Sequence, residues 1–286
     1  MIDFRDSIVR KKIAANVKTE IFASEAAKRP NRFKTRLAPS SLGEECAAKT
    51  WYDFRWVTPP KPADGRMSRY NRKGEENEAD IVARLRETGW TVDEIDPATG
   101  EQWAINGYWG HLYGKTDGIA SHPVHTEGQR ILLEFKYINY KRFSTFINKS
   151  LIEADLKYYC QINLYMSELN LPACMFVPEN RNDADVTPII IPRDDAQVDI
   201  IRQKADTILT TRVRPARVAE SAAFFMCKSC DHVEVCHNGA LPTKNCRSCI
   251  NAMPTDGGKF FCSQWNAVIP NKDAILTACD EWSPVR

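Results

Sequence analysis

The sequence lacks the features that would place it in a membrane, on a secretory route or in a repeat architecture. It contains no run of roughly 18 apolar residues, the length that a membrane-spanning helix requires. Its first residues lack the apolar core of a signal peptide. No internal repeat and no low-complexity segment is found. These absences predict a protein of the cytoplasm, which is a reducing compartment.

The sequence also has little net charge. Its 39 Lys and Arg residues nearly balance 37 Asp and Glu residues, which leaves a formal net charge of +2 and a pI of about 8.0. A basic surface over the whole protein is therefore excluded, so any surface for nucleic acid must be local. The length of 286 residues, 43% of them hydrophobic, is enough for one large α/β domain with an appendage.

Cysteine, by contrast, is abundant. The chain has ten cysteines, and seven of them lie between residues 227 and 279. Disulfides are disfavoured in a reducing compartment, whereas metal binding is favoured. Cys160 and Cys174 lie in apolar segments and are predicted to be ordinary core residues. The remaining cysteines form two groups with the spacing of metal ligands.

The first group has only three cysteines in the C-terminal region, whereas a tetrahedral metal site needs four ligands. It comprises Cys227, Cys230 and Cys236. Two residues between cysteines suit a single metal ion or one corner of a cluster. Cys46, far upstream, could supply the fourth ligand and would then tie the two ends of the chain together. A local histidine, His232 or His237, is the alternative, and would complete a zinc site.

The second group is complete in itself. It comprises Cys246, Cys249, Cys262 and Cys279. The pair followed by single cysteines, with Gly257 and Gly258 between them, fits a small zinc-binding unit. Four thiolates leave no open coordination position, so the metal would be structural rather than catalytic. The chain is therefore predicted to have a main domain, residues 1–240, and a zinc-ribbon-like unit, residues 241–286.

The strongest signal of catalysis lies between residues 114 and 136. A predicted buried strand over residues 131–133 runs on so that Glu134 and Lys136 share one face. A Glu and a Lys spaced in this way usually lie on a solvent-exposed face. On a buried strand, charged side chains are destabilising unless they have partners or a function. A hairpin-like connection would bring Asp117 beside Glu134. Two carboxylates and an ammonium suit a hard divalent cation and a positioned water.

Apolar periodicity predicts the elements around these motifs. Helices are predicted over residues 1–28, from 73 to a stop at Gly89, and over 151–169 and 194–213. Strands are predicted from residue 90 and over residues 103–113, 115–120, 131–137, 173–177 and 187–191, forming a mixed sheet. Pro30 is expected to close the first helix. A capping box of Ser41 and Glu44 predicts a helix with Cys46 in its second turn and Trp56 farther along it.

Together these residues resemble the PD-(D/E)xK nuclease superfamily, in particular its RecB-like exonuclease branch. Asp117 is similar to the first acid of the motif, with Thr116 where the family name has proline, and residues 134–136 are similar to its (D/E)xK part. Glu78, four residues after Gly74, resembles the family's upstream helix acid. The pair of Gln161 and Tyr165 is similar to its post-motif helix. The resemblance spans about residues 37–236.

The resemblance implies a restriction-endonuclease-like core, with a mixed central β-sheet flanked by helices, and a metal-dependent DNA exonuclease for recombination, repair or phage DNA processing. Mg²⁺ or Mn²⁺ would be held by Glu78, Asp117, Glu134 and the carbonyl of Phe135. Lys136 would orient the attacking water, and Gln161 and Tyr165 would shape the DNA side of the site. Further phosphate contacts would come from Arg66, Arg69, Arg72, Lys73, Lys141 and Arg142.

The split cysteine set resembles the iron–sulfur pattern of AddB and the CRISPR-associated exonucleases. The resemblance implies a structural [4Fe–4S] cluster on Cys46, Cys227, Cys230 and Cys236. The C-terminal cysteine-rich unit lies outside this pattern and looks like an added zinc ribbon of a phage-encoded protein, which would act in the host cytoplasm. DNA is the implied partner, together with an annealing protein or a helicase. The alternatives are an endonuclease on the same fold, a non-catalytic DNA- or protein-binding module and, least favoured, an iron–sulfur redox protein.

Overall fold

A computed structural model describes residues 2–29 and 32–285, so Pro30, which is expected to close the first helix, lies outside the described residues. The helices are α1 (Ser7–Lys28), α2 (Ala47–Phe54), α3 (Gly65–Glu87), α4 (Tyr140–Asn148), α5 (Leu151–Ala154), α6 (Leu156–Glu168), α7 (Asp195–Thr210), α8 (Phe225–Lys228), α9 (Val233–His237) and α10 (Lys272–Thr277). The strands are β1 (Thr91–Asp93), β2 (Ala104–Gly107), β3 (Leu112–Lys115), β4 (Gly118–Ser121), β5 (Ile131–Ile138), β6 (Ala173–Asn180), β7 (Ile189–Pro192), β8 (Ala252–Thr255), β9 (Lys259–Cys262) and β10 (Ala267–Val268).

A mixed five-stranded sheet in the order β1-β4-β5-β6-β7 forms the centre of the fold. Strand β5 pairs antiparallel with β4 and parallel with β6. Its side chains alternate between two apolar clusters, with Leu132 in one and Leu133 and Phe135 in the other. Because both faces are covered, β5 reads as a continuous apolar run until Glu134 interrupts it.

Helices cover the two faces of this sheet. Ile81 and Val82 of α3 pack against the face that carries Leu133. On the other face lie apolar side chains of α2, α6 and α7, including Trp51 and Ile162. Fully burying one such side chain stabilises the fold by roughly 1.5–3 kcal/mol. The prediction of a mixed central sheet flanked by helices is confirmed. Within the described residues, no helix is long and apolar enough to span a lipid bilayer.

The predicted capping box is wrong. Residues 39–43 form a 3-10 helix in which the Ser41 hydroxyl donates to the carbonyl of Ala38 at 2.6 Å. The Glu44 carboxylate is bound instead by Lys49, at 2.9 Å, and by Lys157. These cations hold Glu44 away from the backbone N–H that a capping box would use. Helix α2 therefore starts later, with Cys46 as its N-cap residue.

Other predicted boundaries also shift. Trp56 lies beyond the end of α2, with a left-handed backbone at φ 52°. Helix α3 starts eight residues earlier than predicted, because Asp64 caps it and accepts from the backbone N–H of Arg66 at 2.8 Å. The helix predicted over residues 151–169 is interrupted at Asp155, whose extended backbone ends α5 and whose side chain caps α6.

The strand predicted over residues 103–113 is in fact a hairpin. Strands β2 and β3 form a separate two-stranded antiparallel sheet. The turn between them holds Tyr108, Trp109 and Gly110 at φ 52°, 57° and 85°. Three successive left-handed residues reverse the chain, which a continuous strand cannot do. Helix α4 was not predicted, although Asn139 caps it by accepting from the backbone N–H of Arg142 at 2.9 Å.

The C-terminal segment forms a small antiparallel sheet in the order β10-β9-β8. Its Phe260 and Val285 belong to the same buried cluster as the main domain. The buried Arg55 donates to the carbonyl of Ala252 at 2.6 Å. The guanidinium of the buried Arg247 lies 4.4 Å from the ring centroid of Trp56. These contacts join the segment to the main domain, and a boundary at residue 240 stays a prediction.

Candidate functional site

The acids of the sequence motif meet at the centre of the sheet. The pairing of Gly118 with Leu133 sets Asp117 against β5, where its Oδ2 atom accepts from the backbone N–H of Phe135 at 2.7 Å. Gly118 has φ 149°, a backbone conformation that residues with a side chain rarely adopt. The predicted proximity of Asp117 to the Glu134 segment is therefore present.

Glu134 is a buried carboxylate with one oxygen unsatisfied. Its side chain is 1% exposed. Atom Oε1 accepts from the ammonium of Lys136 and from Nε2 of Gln161 at 2.8 Å, whereas Oε2 has no hydrogen-bond partner among the described residues. Burial, aided by the charge of Asp117, raises the pKa of Glu134 to about 7. A buried oxygen without a partner is destabilising, and a cation or a water would satisfy it.

Glu78 adds a third carboxylate from α3. It lines the same cavity as Asp117. Burial, followed by the negative charge of Asp117, raises the pKa of Glu78 to about 8. Carboxylates that raise each other's pKa are stabilised by a proton or by a bound cation. The arrangement can therefore attract a positive charge into the cavity.

Lys136 is the positive charge of this cluster in the structure. Its Nζ atom is bound to Glu134 and donates to the carbonyl of Phe135 at 2.8 Å. Burial alone would lower the pKa of Lys136, but the charges of Glu134 and Asp117 raise it above its usual range. Lys136 is therefore a permanent cation at neutral pH, and it can donate hydrogen bonds to an anionic group.

The two α6 residues that the sequence singled out do different things. Gln161 reaches the acids, because its amide donates to Glu134. Tyr165, 3% exposed, donates to the carbonyl of Lys115 at 2.8 Å and so braces the strand before Asp117. A Cβ atom at Gly114 would lie 2.5 Å from the Tyr165 hydroxyl. Gly114 is thus needed for this close approach, and Tyr165 supports the site from behind.

A cavity of about 270 Å³ opens beside these groups. Its lining includes Glu78, Asp117 and Lys136 together with Tyr70 and Tyr158. The sequence reading missed both tyrosines. Tyr158 could have been found, because it lies three residues before Gln161 and so shares its face of α6.

The predicted phosphate contacts are mostly paired with acids of the chain itself. Arg69 and Arg72 lie 3.7 and 3.1 Å from the carboxylate of Glu25. Arg142 is bound to Asp155. Glu25 is itself buried, so Arg69 and Arg72 neutralise a carboxylate that would be costly to leave unpaired. The position of these arginines does not assign them a role in phosphate binding.

The first cysteine group lies around one small cavity. Cys46, Cys227, Cys230 and Cys236 all line it, and the cavity is about 30 Å³. The buried His232 also borders it, but both of its ring nitrogens have partners. Nε2 lies 3.0 Å from Asp53 Oδ1, and Nδ1 lies 2.9 Å from Thr58 Oγ1. Of the two candidate histidines, His232 is therefore disfavoured as a fourth ligand.

The second cysteine group lines another cavity, of about 440 Å³. Its lining includes Cys246, Cys249, Cys262 and Cys279. The indole N–H of Trp265 lies 3.5 Å from the sulfur of Cys279. The backbone N–H of Ser283 lies 3.5 Å from the sulfur of Cys249. Burial, together with the charges of the three other cysteines, raises the pKa of Cys246 to about 11.

No three His, Cys, Asp or Glu side chains within residues 2–29 and 32–285 are arranged so that they could hold a metal ion. The Lys136 ammonium is bound to Glu134, and each group of cysteines lines a cavity. Metal binding at any of the three places would therefore require side-chain rearrangement.

No protein-family model matches the chain, and no curated protein matches it. The chain is similar to the solved structure of LHK-Exo in complex with dAMP, with 20% identity and a TM-score of 0.44 over 67% of this chain and 90% of that chain. It is similar to the alkaline exonuclease LHK-Exo from Laribacter hongkongensis, with 19% identity and the same TM-score of 0.44, over 67% and 90%. It is also similar to SSO0001, with 14% identity and a TM-score of 0.40 over 77% and 95%. At these identities and TM-scores, the likeness assigns no activity to this chain.

Proposed function

We propose that this chain is a divalent-metal-dependent deoxyribonuclease of the PD-(D/E)xK type, in its RecB-like branch, and that it degrades DNA from an end. One observation carries this proposal. Glu134 is a buried carboxylate with one oxygen unsatisfied, and it is bound to Lys136, which lines one cavity together with Glu78 and Asp117. A solvated charged face would expose these groups, and a purely structural cluster would pair both oxygens.

The residues present fit a hard cation, because carboxylate and carbonyl oxygens are its preferred ligands. Glu78, Asp117, Glu134 and the carbonyl of Phe135 would hold it. Bound Mg²⁺ or Mn²⁺ polarises a phosphate and lowers the pKa of an attacking water.

The remaining residues act on the substrate and on the acids. Lys136 would donate a hydrogen bond to the attacking water and stabilise the negative charge that develops on the phosphate. Gln161 fixes the Glu134 carboxylate through its hydrogen bond to Oε1. Tyr165 keeps the strand before Asp117 in place.

The test uses end-labelled linear DNA and its closed circular form, with Mg²⁺ or Mn²⁺ and with chelator. We expect progressive loss of the linear DNA from one end, an intact circle and no reaction with chelator. An Asp117→Asn chain purified in the same way controls for contaminating nuclease. Cleavage of the circle would replace the exonuclease by an endonuclease. DNA binding without any cleavage would indicate that the protein is a non-catalytic DNA-binding module.

The two cysteine groups would hold structural metals. A [4Fe–4S] cluster on Cys46, Cys227, Cys230 and Cys236 is supported by their common cavity and by the partners that already occupy His232. A zinc ion on Cys246, Cys249, Cys262 and Cys279 is supported by the second cavity and by the small antiparallel sheet around it. Either metal would draw the thiols of its group together and be coordinated by their sulfurs.

Metal analysis of an anaerobic preparation tests both groups. We expect about four iron atoms and one zinc ion per chain. Cys46→Ser should lose iron but keep zinc, and Cys262→Ser should lose zinc but keep iron. Cys160→Ala, a change at a buried cysteine outside both groups, should keep both metals. A colourless, iron-free preparation would rule out the iron–sulfur cluster. Zinc retained by the Cys262→Ser chain would rule out the proposed zinc site.

A further inference from the structure

The ammonium of Lys136 is bound to oxygens of two residues that would hold the metal. It is bound to Glu134 Oε1 and, at 2.8 Å, to the carbonyl of Phe135. The proposed function gives the divalent cation the Phe135 carbonyl and an oxygen of Glu134, whose Oε2 atom has no other partner among the described residues. Two positive charges so close together repel each other strongly in a partly buried site. The ammonium must therefore leave at least one of these oxygens when the metal binds, and it needs another partner within the cavity.

The ring of Tyr158 is such a partner. The Lys136 Nζ atom lies 4.9 Å from its centroid. An ammonium within about 6 Å of an aromatic face is attracted by the ring's quadrupole. An aromatic ring carries no net charge, so it does not compete for the metal as a carboxylate would. Tyr158 also lines the cavity itself.

The ring of Tyr158 is held in place from several sides. Its centroid lies 6.0 Å from that of Phe146 and 6.2 Å from that of Phe176. The backbone N–H of Tyr158 donates to the capping residue Asp155 at 3.2 Å. A second cation, Arg142, lies 5.9 Å from the ring centroid, but Asp155 binds it. The ring is therefore a fixed surface beside a movable ammonium.

We infer that Tyr158 is a positioning residue whose ring retains the Lys136 ammonium in the active-site cavity when a divalent cation takes Glu134 and the Phe135 carbonyl. This inference rests on the proposed function. Without the ring, the displaced ammonium would turn toward solvent and would no longer face the scissile phosphate. The hydroxyl of Tyr158 is not required, because the ring face makes the contact.

The test measures where Lys136 goes when Ca²⁺ alone is added. Acylation of lysines by a water-soluble reagent, read by mass spectrometry, reports the exposure of each ammonium. In the native chain and in Tyr158→Phe, Lys136 should stay slow to react with or without Ca²⁺. In Tyr158→Leu, Ca²⁺ should raise its acylation rate about tenfold, which corresponds to the loss of a desolvated cation–π contact. Tyr159→Phe, which removes only a hydroxyl bound to Asp194, should behave as native.

Cleavage assays give the second readout. Tyr158→Leu should reduce kcat about tenfold with KM nearly unchanged, and Tyr158→Phe should restore the native rate. Equal defects in the Phe and Leu variants would overturn the inference. So would a Lys136 in Tyr158→Leu that stays slow to react when Ca²⁺ is present. A native chain that cleaves no DNA would overturn the proposed function instead, and the Ca²⁺-dependent acylation would still decide the role of Tyr158.

Discussion

Replacing Lys136 by Ala should reduce DNA cleavage by about a thousandfold, with KM changed far less than kcat. The ammonium is the cation that faces the acids inside the cavity, and it would act on charge that develops only in the transition state. Its loss therefore lowers kcat rather than substrate affinity. Single-turnover cleavage of end-labelled linear DNA at saturating Mg²⁺ measures the change.

Lys12→Ala is the matched control, because Lys12 is an exposed lysine on α1, outside the cavity lining and not among the predicted phosphate contacts. It should cleave at the native rate. Thermal unfolding of the Lys136→Ala chain should stay cooperative, because the raised pKa of Glu134 allows this acid to take up a proton when its cation is removed. A folded Lys136→Ala chain that cleaves within about tenfold of native would show that Lys136 is not catalytic.

The cluster around Lys136 was predictable because its parts are near in the sequence. Asp117 directly precedes β4, and Glu134 lies on β5, the next strand, which pairs with β4, so the hairpin fixes their distance. The alternation of a strand places Glu134 and Lys136 on one face whatever the rest of the fold does. Gln161 was predictable only through the resemblance, since it reaches Glu134 from a separate helix.

Features that depend on competition between long-range partners were not predictable. The capping box failed because Lys157, 113 positions away in the chain, binds Glu44. The burial of Arg247 depends on aromatic side chains from two distant segments, Phe54 and Phe260, at 4.4 and 4.7 Å from its guanidinium. Such partners become visible only when the segments are brought together in three dimensions. The residue types alone do not indicate which segments of the chain will meet.

The same reasoning applies to His111, which no sequence pattern singles out. It is fully buried where the main domain meets the C-terminal segment. Its ring lies edge-on to Phe260, with centroids 5.2 Å apart, and its Nε2 atom donates to the carbonyl of Thr255 at 2.9 Å. Burial first, and then the positive charges of Arg247 and Arg36, lower the pKa of His111 to about 4. The hydrogen bond to Thr255 opposes this shift only in part.

His111 should make the protein less stable in mild acid. Its folded pKa lies below the unfolded value near 6.5, so the unfolded chain binds the proton more readily. The contribution of neutral His111 to the free energy of unfolding is fully present above pH 6.5 and is lost as the pH falls toward 4. Over this window it amounts to about 3 kcal/mol. Denaturant unfolding at several pH values between 7 and 4 measures it.

His111→Gln is the comparison chain, because glutamine keeps a donor for Thr255 but does not titrate. Every other group, including the cysteines that would lose metal in acid, titrates alike in both chains. The difference in unfolding free energy between native and His111→Gln should therefore shift by about 3 kcal/mol against the native chain between pH 6.5 and pH 4. Parallel pH profiles would show that His111 is not held neutral by its surroundings. The acid sensitivity would then belong to groups that both chains share.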